Sequence, residues 1–189
     1  MVDIGTPERY FKVMCNVLYG KLNIRVSEES ALLGRNIWVQ GYSQESMKCR
    51  EEIVRKLREE KLSIEGATLI GRHTRMGDHS RIMDSNIDNF CMLGQYVNVE
   101  RSAIMDAVKI GDYAKIDNSV LGRMVIVESS HEHPTIIDST SVIGNNAHIR
   151  AGCRIIGTKI YPGLEISPGM TYVNTCLQSY EDVAIYATH

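Results

Sequence analysis

Three histidines, His131, His133 and His148, are the residues of this chain best suited to moving a proton. An imidazole can serve as general base on a hydroxyl or an amine near neutral pH. His131 and His133 stand in the polar run Glu128–Pro134, on either side of Glu132, and His148 follows in the next apolar stretch. Solvating a surface excursion is the plainer role for each. The five cysteines (Cys15, Cys49, Cys91, Cys153, Cys176) form no CxxC pair and are odd in number. Cys91 and Cys153 fall where small core residues recur, which reads as burial rather than reactivity. No Gly-rich phosphate loop occurs anywhere in the chain.

What positions these side chains is a short repeat. Ile70, Ile87, Ile104 and Leu121 follow one another at 17 residues, and the same interval separates Ile143 from Ile160. Each interval divides into turns of six, six and five, as in Ile70, Met76, Ile82. So short a period belongs to the coil of a solenoid, since neither a helix nor a hairpin repeats at that length. First and fifth positions are aliphatic or small and would stack inward at about 4.8 Å, the spacing of paired strands. Gly or an acid at the second position suits a sharp corner, by positive φ or a local hydrogen bond. The five-residue turns carry Ser85, Ser102, Ser119 and Thr158 in fourth place. About six coils between Ile70 and Met170 predict a rod on the order of 30 Å long.

The fourth positions of the longer turns make two outward columns, His79/Tyr96/Tyr113 and His73/Phe90/Ala107/Met124. Either is an incidental surface feature or a subunit or interdomain interface, because apolar side chains recurring on one face make a contiguous patch. The register breaks once. Between Leu121 and Ile143 lie 22 residues, and Glu128–Pro134 is expected to loop out of one coil there.

Two helices are expected outside the solenoid. Thr6 caps the first, Pro7 opens it and Gly20 follows its end, with Tyr10, Val13, Met14, Val17 and Leu18 on one face. The second, about Gln44 to Lys61, should dock a thin stripe of Met47, Ile53, Val54 and Leu57 on the first coil, covering its unpaired edge. With 189 residues, 43% apolar content and a formal charge of −2, the chain suits one compact domain and gives no hint of nucleic-acid binding. No 18-residue apolar run or signal-like segment appears, so a cytoplasmic protein with no membrane partner is expected.

The repeat resembles the hexapeptide family of left-handed parallel β-helices over roughly residues 64–171; the left hand is what the resemblance implies. The string Val2-Asp3-Ile4-Gly5-Thr6-Pro7-Glu8-Arg9-Tyr10 is similar to the DIGTPEDY motif closing the catalytic domain of sugar-1-phosphate nucleotidyltransferases, among them mannose-1-phosphate guanylyltransferases and glucose-1-phosphate thymidylyltransferases. In several of these a helix leads from the motif into a hexapeptide domain, the order seen here. The resemblance divides the chain into 1–22 (end of a catalytic domain and linker helix), 23–63 (connecting segment with the surface helix), 64–171 (β-helix) and 172–189 (tail). It also makes Asp3 a ligand of catalytic Mg²⁺ in a full-length parent. A single carboxylate without phosphate ligands or a second acid is otherwise a poor Mg²⁺ site and a good helix N-terminal acid. The nucleotide-binding half, with its phosphate loop, is missing. The expectation is therefore the C-terminal portion of such an enzyme, separated from its catalytic half by truncation, a misassigned start or a split gene.

Other members of the fold family suggest alternatives. His133-Pro134-Thr135-Ile136, followed by Ile143-Gly144 and Ala147-His148-Ile149 up to Gly152, resembles a stretch of serine and sugar acetyltransferases and would make His133 the base of a stand-alone acyltransferase using acyl-CoA. The HxxxxH of the zinc-binding carbonic anhydrases of this fold does not occur, and His73 and His79, six apart, fall on adjacent faces, so no zinc is expected. A purely structural assembly module is the third class. The leading expectation is a scaffold that is not catalytic alone and serves oligomerisation, support or regulation. It would assemble as a homo-oligomer, trimer before dimer, through the columns containing Phe90 and Met124 or His79, Tyr96 and Tyr113.

Overall fold

A computed structural model describes residues 6–22, 30–34 and 36–186. The repeat forms a mainly parallel β-solenoid of about seven triangular turns. Three faces run its length, each built of strands two to four residues long. The first face holds Thr68–Ile70, Asn86–Ile87, Ala103–Ile104, Val120–Leu121, Val142–Ile143, Lys159–Ile160 and Cys176–Leu177. The second holds Arg75–Met76, Met92–Leu93, Lys109–Ile110, Ile126–Val127, His148–Ile149 and Glu165–Ile166. The third holds Leu62–Glu65, Ser80–Met83, Asn98–Glu100, Lys115–Asp117, Ile136–Asp138, Arg154–Ile156 and Thr171–Val173. Ile70, Ile87, Ile104 and Leu121 pair in register and are fully buried, as the spacing predicts.

The buried serines explain why the shortest turns are so uniform. Ser102 Oγ donates to Glu100 O at 2.6 Å and accepts Ser119 N–H at 3.1 Å, while Ser102 N–H donates to Ser85 Oγ at 3.1 Å. Ser141, Thr158 and Thr175 continue the column. Ser85, Ser102, Ser141 and Thr158 thus each satisfy a backbone amide of the next coil in a dry corner, as Thr74 and Ser80 do in six-residue turns.

The corner chemistry differs from the sequence expectation in one respect. Positive φ falls at the fourth position, in His73, His79, Phe90, Tyr96, Tyr113 and Met124, and not at the second-position glycines of the coils. Glycine is needed at the second position for space. A Cβ on Gly111 would lie 2.7 Å from Ser129 N, and one on Gly71 would run into the backbone of Asp88.

Helix α1 (Pro7–Leu18) is capped by Thr6 and lies across the outer side of the first face, where Tyr10, Met14 and Leu18 share a shallow cleft with Leu69 and Asn86. Tyr19 Oη donates to Asp84 at 2.8 Å just past the helix end. An antiparallel hairpin, β1 (Ser30–Gly34) and β2 (Ile37–Gln40), extends the first face by pairing β2 with Thr68–Ile70. The sequence gives no sign of it, because these strands lie outside the repeat.

Helix α2 (Gln44–Arg58) comes between a first-face strand and a third-face strand, so it stands where the second face would place a strand one coil earlier. Ile53 is buried and Leu57 packs against the core, but Met47 is exposed and does not belong to the docked stripe. The anchor the sequence does not reveal is Lys56. Its side chain is buried, and its ammonium donates to Met76 O at 2.6 Å and pairs with Asp78 at 3.0 Å and with Glu52 at 3.3 Å. The ladder continues past the expected end at residue 171, through Tyr172 and Cys176–Leu177. Helix α3 (Tyr180–Ile185) then closes that end, with Tyr172 Oη donating to Val183 O at 2.8 Å.

The insertion in the fourth coil is split. Most of it forms the Glu128–Pro134 excursion, and a single extra residue is absorbed at the Asp138–Ser141 corner, where both Ser139 and Thr140 have positive φ.

Candidate functional site

The three faces present different surfaces. The third is crossed by ion pairs: Arg81 to Glu65 at 3.2 Å and to Glu100 at 2.7 Å, then Arg101 to Glu100 at 3.3 Å and to Asp117. The first is partly overlaid by α1. Its outward residues, Leu69, Asn86, Ala103, Val120, Val142 and Lys159, are mostly apolar but, Lys159 apart, little exposed, whereas the second exposes two apolar side chains among polar ones. The outward residues of the second read Arg75, Met92, Lys109, Ile126, His148 and Glu165, one per coil. Met92 is 50% exposed and Ile126 37%.

Both corner columns expected from the sequence border this face. Phe90 and Met124, more than half exposed, lie along one edge, with the Phe90 ring stacked on His73 at 4.9 Å. Along the other edge His79, Tyr96 and Tyr113 stack with centroids 4.8 and 4.7 Å apart and interplanar angles of 21° and 9°. His131 closes that stack edge-on against Tyr113 at 5.0 Å. The rings repeat at the coil spacing because positive φ at the fourth position turns every side chain of the column outward in the same direction.

Beside Tyr113 the second-position column is hollow in one half and filled in the other. Gly77, Gly94 and Gly111 occupy the early coils, and Glu128, Arg150 and Ser167 the later ones. The glycines leave a shallow depression of about 490 Å³ walled by Met92, Lys109 and Ile126 on one side and Asp112 and Glu128 on the other. Sequence reasoning did not single out Met92 and Ile126. The signal for them is an apolar residue at a sixth position, which Arg75 and Lys109 mark as polar.

His133, the candidate base, is on the exposed excursion. Its amide donates to Ser130 Oγ at 3.2 Å, its carbonyl accepts from Ser130 N–H at 3.2 Å, and its Cβ lies near Gly152. His131 serves the tyrosine stack. His148 Nε2 donates to Glu128 at 2.8 Å, which also takes a hydrogen bond from Arg150 at 2.7 Å, while Arg150 reaches Glu165 at 2.7 Å. Burial alone would raise the Glu128 carboxyl, but the hydrogen bonds from His148 and Arg150 outweigh it and hold that group below the usual carboxylate range. The structure therefore separates the three histidines into a ring stack, a loop turn and an ion network. It does not bring them together around one point.

Asp3, the Mg²⁺ ligand implied in a full-length parent, lies outside the described residues. Among the described residues no group of three or more His, Cys, Asp or Glu side chains is arranged to hold a metal ion. The described part of the chain does not fit such a centre. No described helix is long and apolar enough to cross a membrane.

Coils, hydroxyl column and corner stacks define a hexapeptide-repeat β-helix. Residues 64–176 match the family model described as the GMPPB C-terminal domain, and the chain belongs to that family. No curated protein matches it. Solved structures similar to it include a hexapeptide transferase family protein from Anaplasma phagocytophilum, at 14% identity and TM-score 0.32 over 67% of this chain and 81% of that one. WeeI from Acinetobacter baumannii AYE aligns at 15% identity and TM-score 0.32 over 71% and 67%. AntD, an N-acyltransferase from Bacillus cereus, aligns at 15% and 0.29 over 74% and 77%. At such identities and scores none of these structures bears on what this chain does.

Proposed function

We infer that this chain is the β-helix portion of a sugar-1-phosphate nucleotidyltransferase, acting as a scaffold for a catalytic domain and not as a catalyst by itself. The observation that carries this reading is the family match at residues 64–176, with the motif-like Asp3–Tyr10 string upstream of it. Nucleotidyl transfer requires a cradle of backbone N–H groups and basic side chains around a triphosphate, together with a metal that neutralises the departing pyrophosphate. The described residues supply repeating faces, corners and ion ladders instead, which suit support and self-association. In this reading the parent couples a sugar 1-phosphate to a nucleoside triphosphate, and the solenoid contributes assembly.

The test is direct. The purified chain with Mg²⁺, a nucleoside triphosphate and a sugar 1-phosphate should release no pyrophosphate, and release would refute the reading. Thiol release from acetyl-CoA in the presence of amino-sugar phosphates, abolished in His133→Ala, would replace it with an acyltransferase.

A further inference from the structure

We propose that helix α1 is a strap that opens and closes on the first face as a unit of its own, while the solenoid beneath stays folded, and that Tyr10 and Tyr19 are its two catches.

The catches match in spacing. Tyr19 Oη donates to Asp84 Oδ1 at 2.8 Å. Tyr10, at the other end of the helix, places its hydroxyl within hydrogen-bonding reach of the Asn86 amide and in the field of Asp88. Burial raises that hydroxyl, Asp88 adds to the rise and Asn86 opposes it. From Tyr10 to Tyr19 is a step of nine residues, a rise of about 13.5 Å in a helix. From Asp84 to Asp88 is a step of four through the strand Asn86–Ile87, or about 13 Å. The helix therefore lies along one strand and runs against its direction, each end meeting a corner of the same coil.

The solenoid sets both catches without help from α1. Asp84 Oδ1 also accepts Ala67 N–H at 2.8 Å, and a Cβ on Gly66 would lie 2.2 Å from that oxygen. Asn86 Nδ2 donates to Asp88 Oδ1 at 3.0 Å. Losing a tyrosine hydroxyl costs the strap a partner and leaves these bonds of the coil made.

The apolar contact is separate as well. Ile70, Ile87 and Ile104 point into the core, while Leu69, Asn86 and Ala103 on the same strands point out. Ala103 is fully buried although it faces outward, and Phe11 and Leu18 are buried without joining the core cluster. A cleft of about 220 Å³ remains between the helix and Leu69 and Asn86, so α1 is not packed as an interior is. With a sheet between the two apolar contacts, the smaller can open alone. A helix of 12 residues does not persist by itself in water, so α1 melts on release.

Closed, the strap holds its own N-terminal end against the first face. Open, residues 7–20 become a tether with an r.m.s. span of about 20 Å, and Leu69 and Ala103 are bared. A catalytic domain joined ahead of α1 then has two settings, mounted on the rod or tethered to it; this consequence rests on the function proposed above, whereas the strap does not.

The experiment is native-state hydrogen exchange of the full 189-residue chain, read by residue at several low urea concentrations. The reference amides are Asn86 and Ala103, which donate to Ser102 O and Ser119 O. Amides from Met14 to Leu18 should exchange at least about a hundredfold faster than these, with a smaller urea dependence, because opening bares less surface than unfolding. Tyr19→Phe should quicken exchange in α1 about fivefold and leave the reference amides and the melting temperature unchanged. Adding Tyr10→Phe should multiply the effect. Exchange of α1 at the rate and urea dependence of the reference amides would show one cooperative unit and overturn the strap. An α1 indifferent to either substitution would refute that tyrosine as a catch. Faster exchange at Asn86 and Ala103 in Tyr19→Phe would show helix and solenoid opening together and refute independence. None of these results bears on pyrophosphate release, so the strap and the proposed function fail separately.

Discussion

Replacing Ser102 tests whether the hydroxyl column, and not merely the small size of its residues, holds the short corners together. Ser102→Thr and Ser102→Val place nearly the same volume in the same site, and Thr158 shows that threonine is at home in this column. Only the threonine keeps the hydroxyl. With valine, Glu100 O retains the bond it accepts from Asn118 N–H at 3.0 Å, whereas Ser119 N–H loses its acceptor in a corner that is fully buried. One buried donor without a partner costs about 1–3 kcal/mol. At the middle of that range a domain of this length should melt about 4–8 °C lower with valine than with threonine. Calorimetry gives the difference, and hydrogen exchange at Ser119 gives its location. Ser102→Val melting with Ser102→Thr, or Ser119 protected equally in both, would show that packing alone sets the corner.

Other outcomes follow from the same packing. Ile104→Asp puts an unpaired carboxylate in a closed column and should abolish soluble expression, whereas Ile104→Val should cost about 1 kcal/mol in a urea titration. The hydrogen bond from Lys56 holds the Asp78 carboxyl below its usual value. Its contribution is present above the unfolded value near about pH 4 and is lost as pH falls through the lower folded one. The urea midpoints of wild type and Lys56→Met should therefore differ at pH 5 and converge toward pH 3; a constant gap would exclude the ion pair. Burial pushes the Cys91 thiol up to about 12, and its Sγ lies 3.0 Å from Met105 O, while Cys176 is exposed. A thiol reagent should modify Cys176 in the native chain and Cys91 only on unfolding, as peptide mapping would show.

The register of the solenoid was legible because each coil repeats its neighbour, so every column is sampled several times. Features sampled once were not. Lys56 reads as one more charge on a charged helix, and its burial depends on a carbonyl at Met76, 20 residues away. The hairpin at Ser30–Gly34 and Ile37–Gln40 has no equivalent within the repeat, although its second strand pairs with Thr68–Ile70. Tyr172 breaks an aliphatic column by type yet is 1% exposed, because its ring reaches α3. The second-position glycines were found, but for a different reason: backbone proximity and not backbone conformation explains them. At the candidate site the ring columns could be read from their spacing, whereas the Glu128–His148–Arg150 network could not, since it joins a loop residue to one strand and the corner after it across the break in register.

Most of the insertion leaves at the corner between the second and third faces and its last residue is absorbed at the corner between the third and the first, while the strands of all three faces stay paired from coil to coil. Such a rod can accept new length without losing alignment, because the excess leaves at the corners while every side keeps its pairing. A peptide grafted between Ser130 and Glu132 would enter where the chain already departs from its coil, at little entropic cost for each added residue. The same site offers a place to attach a label or a second domain beside the tyrosine stack.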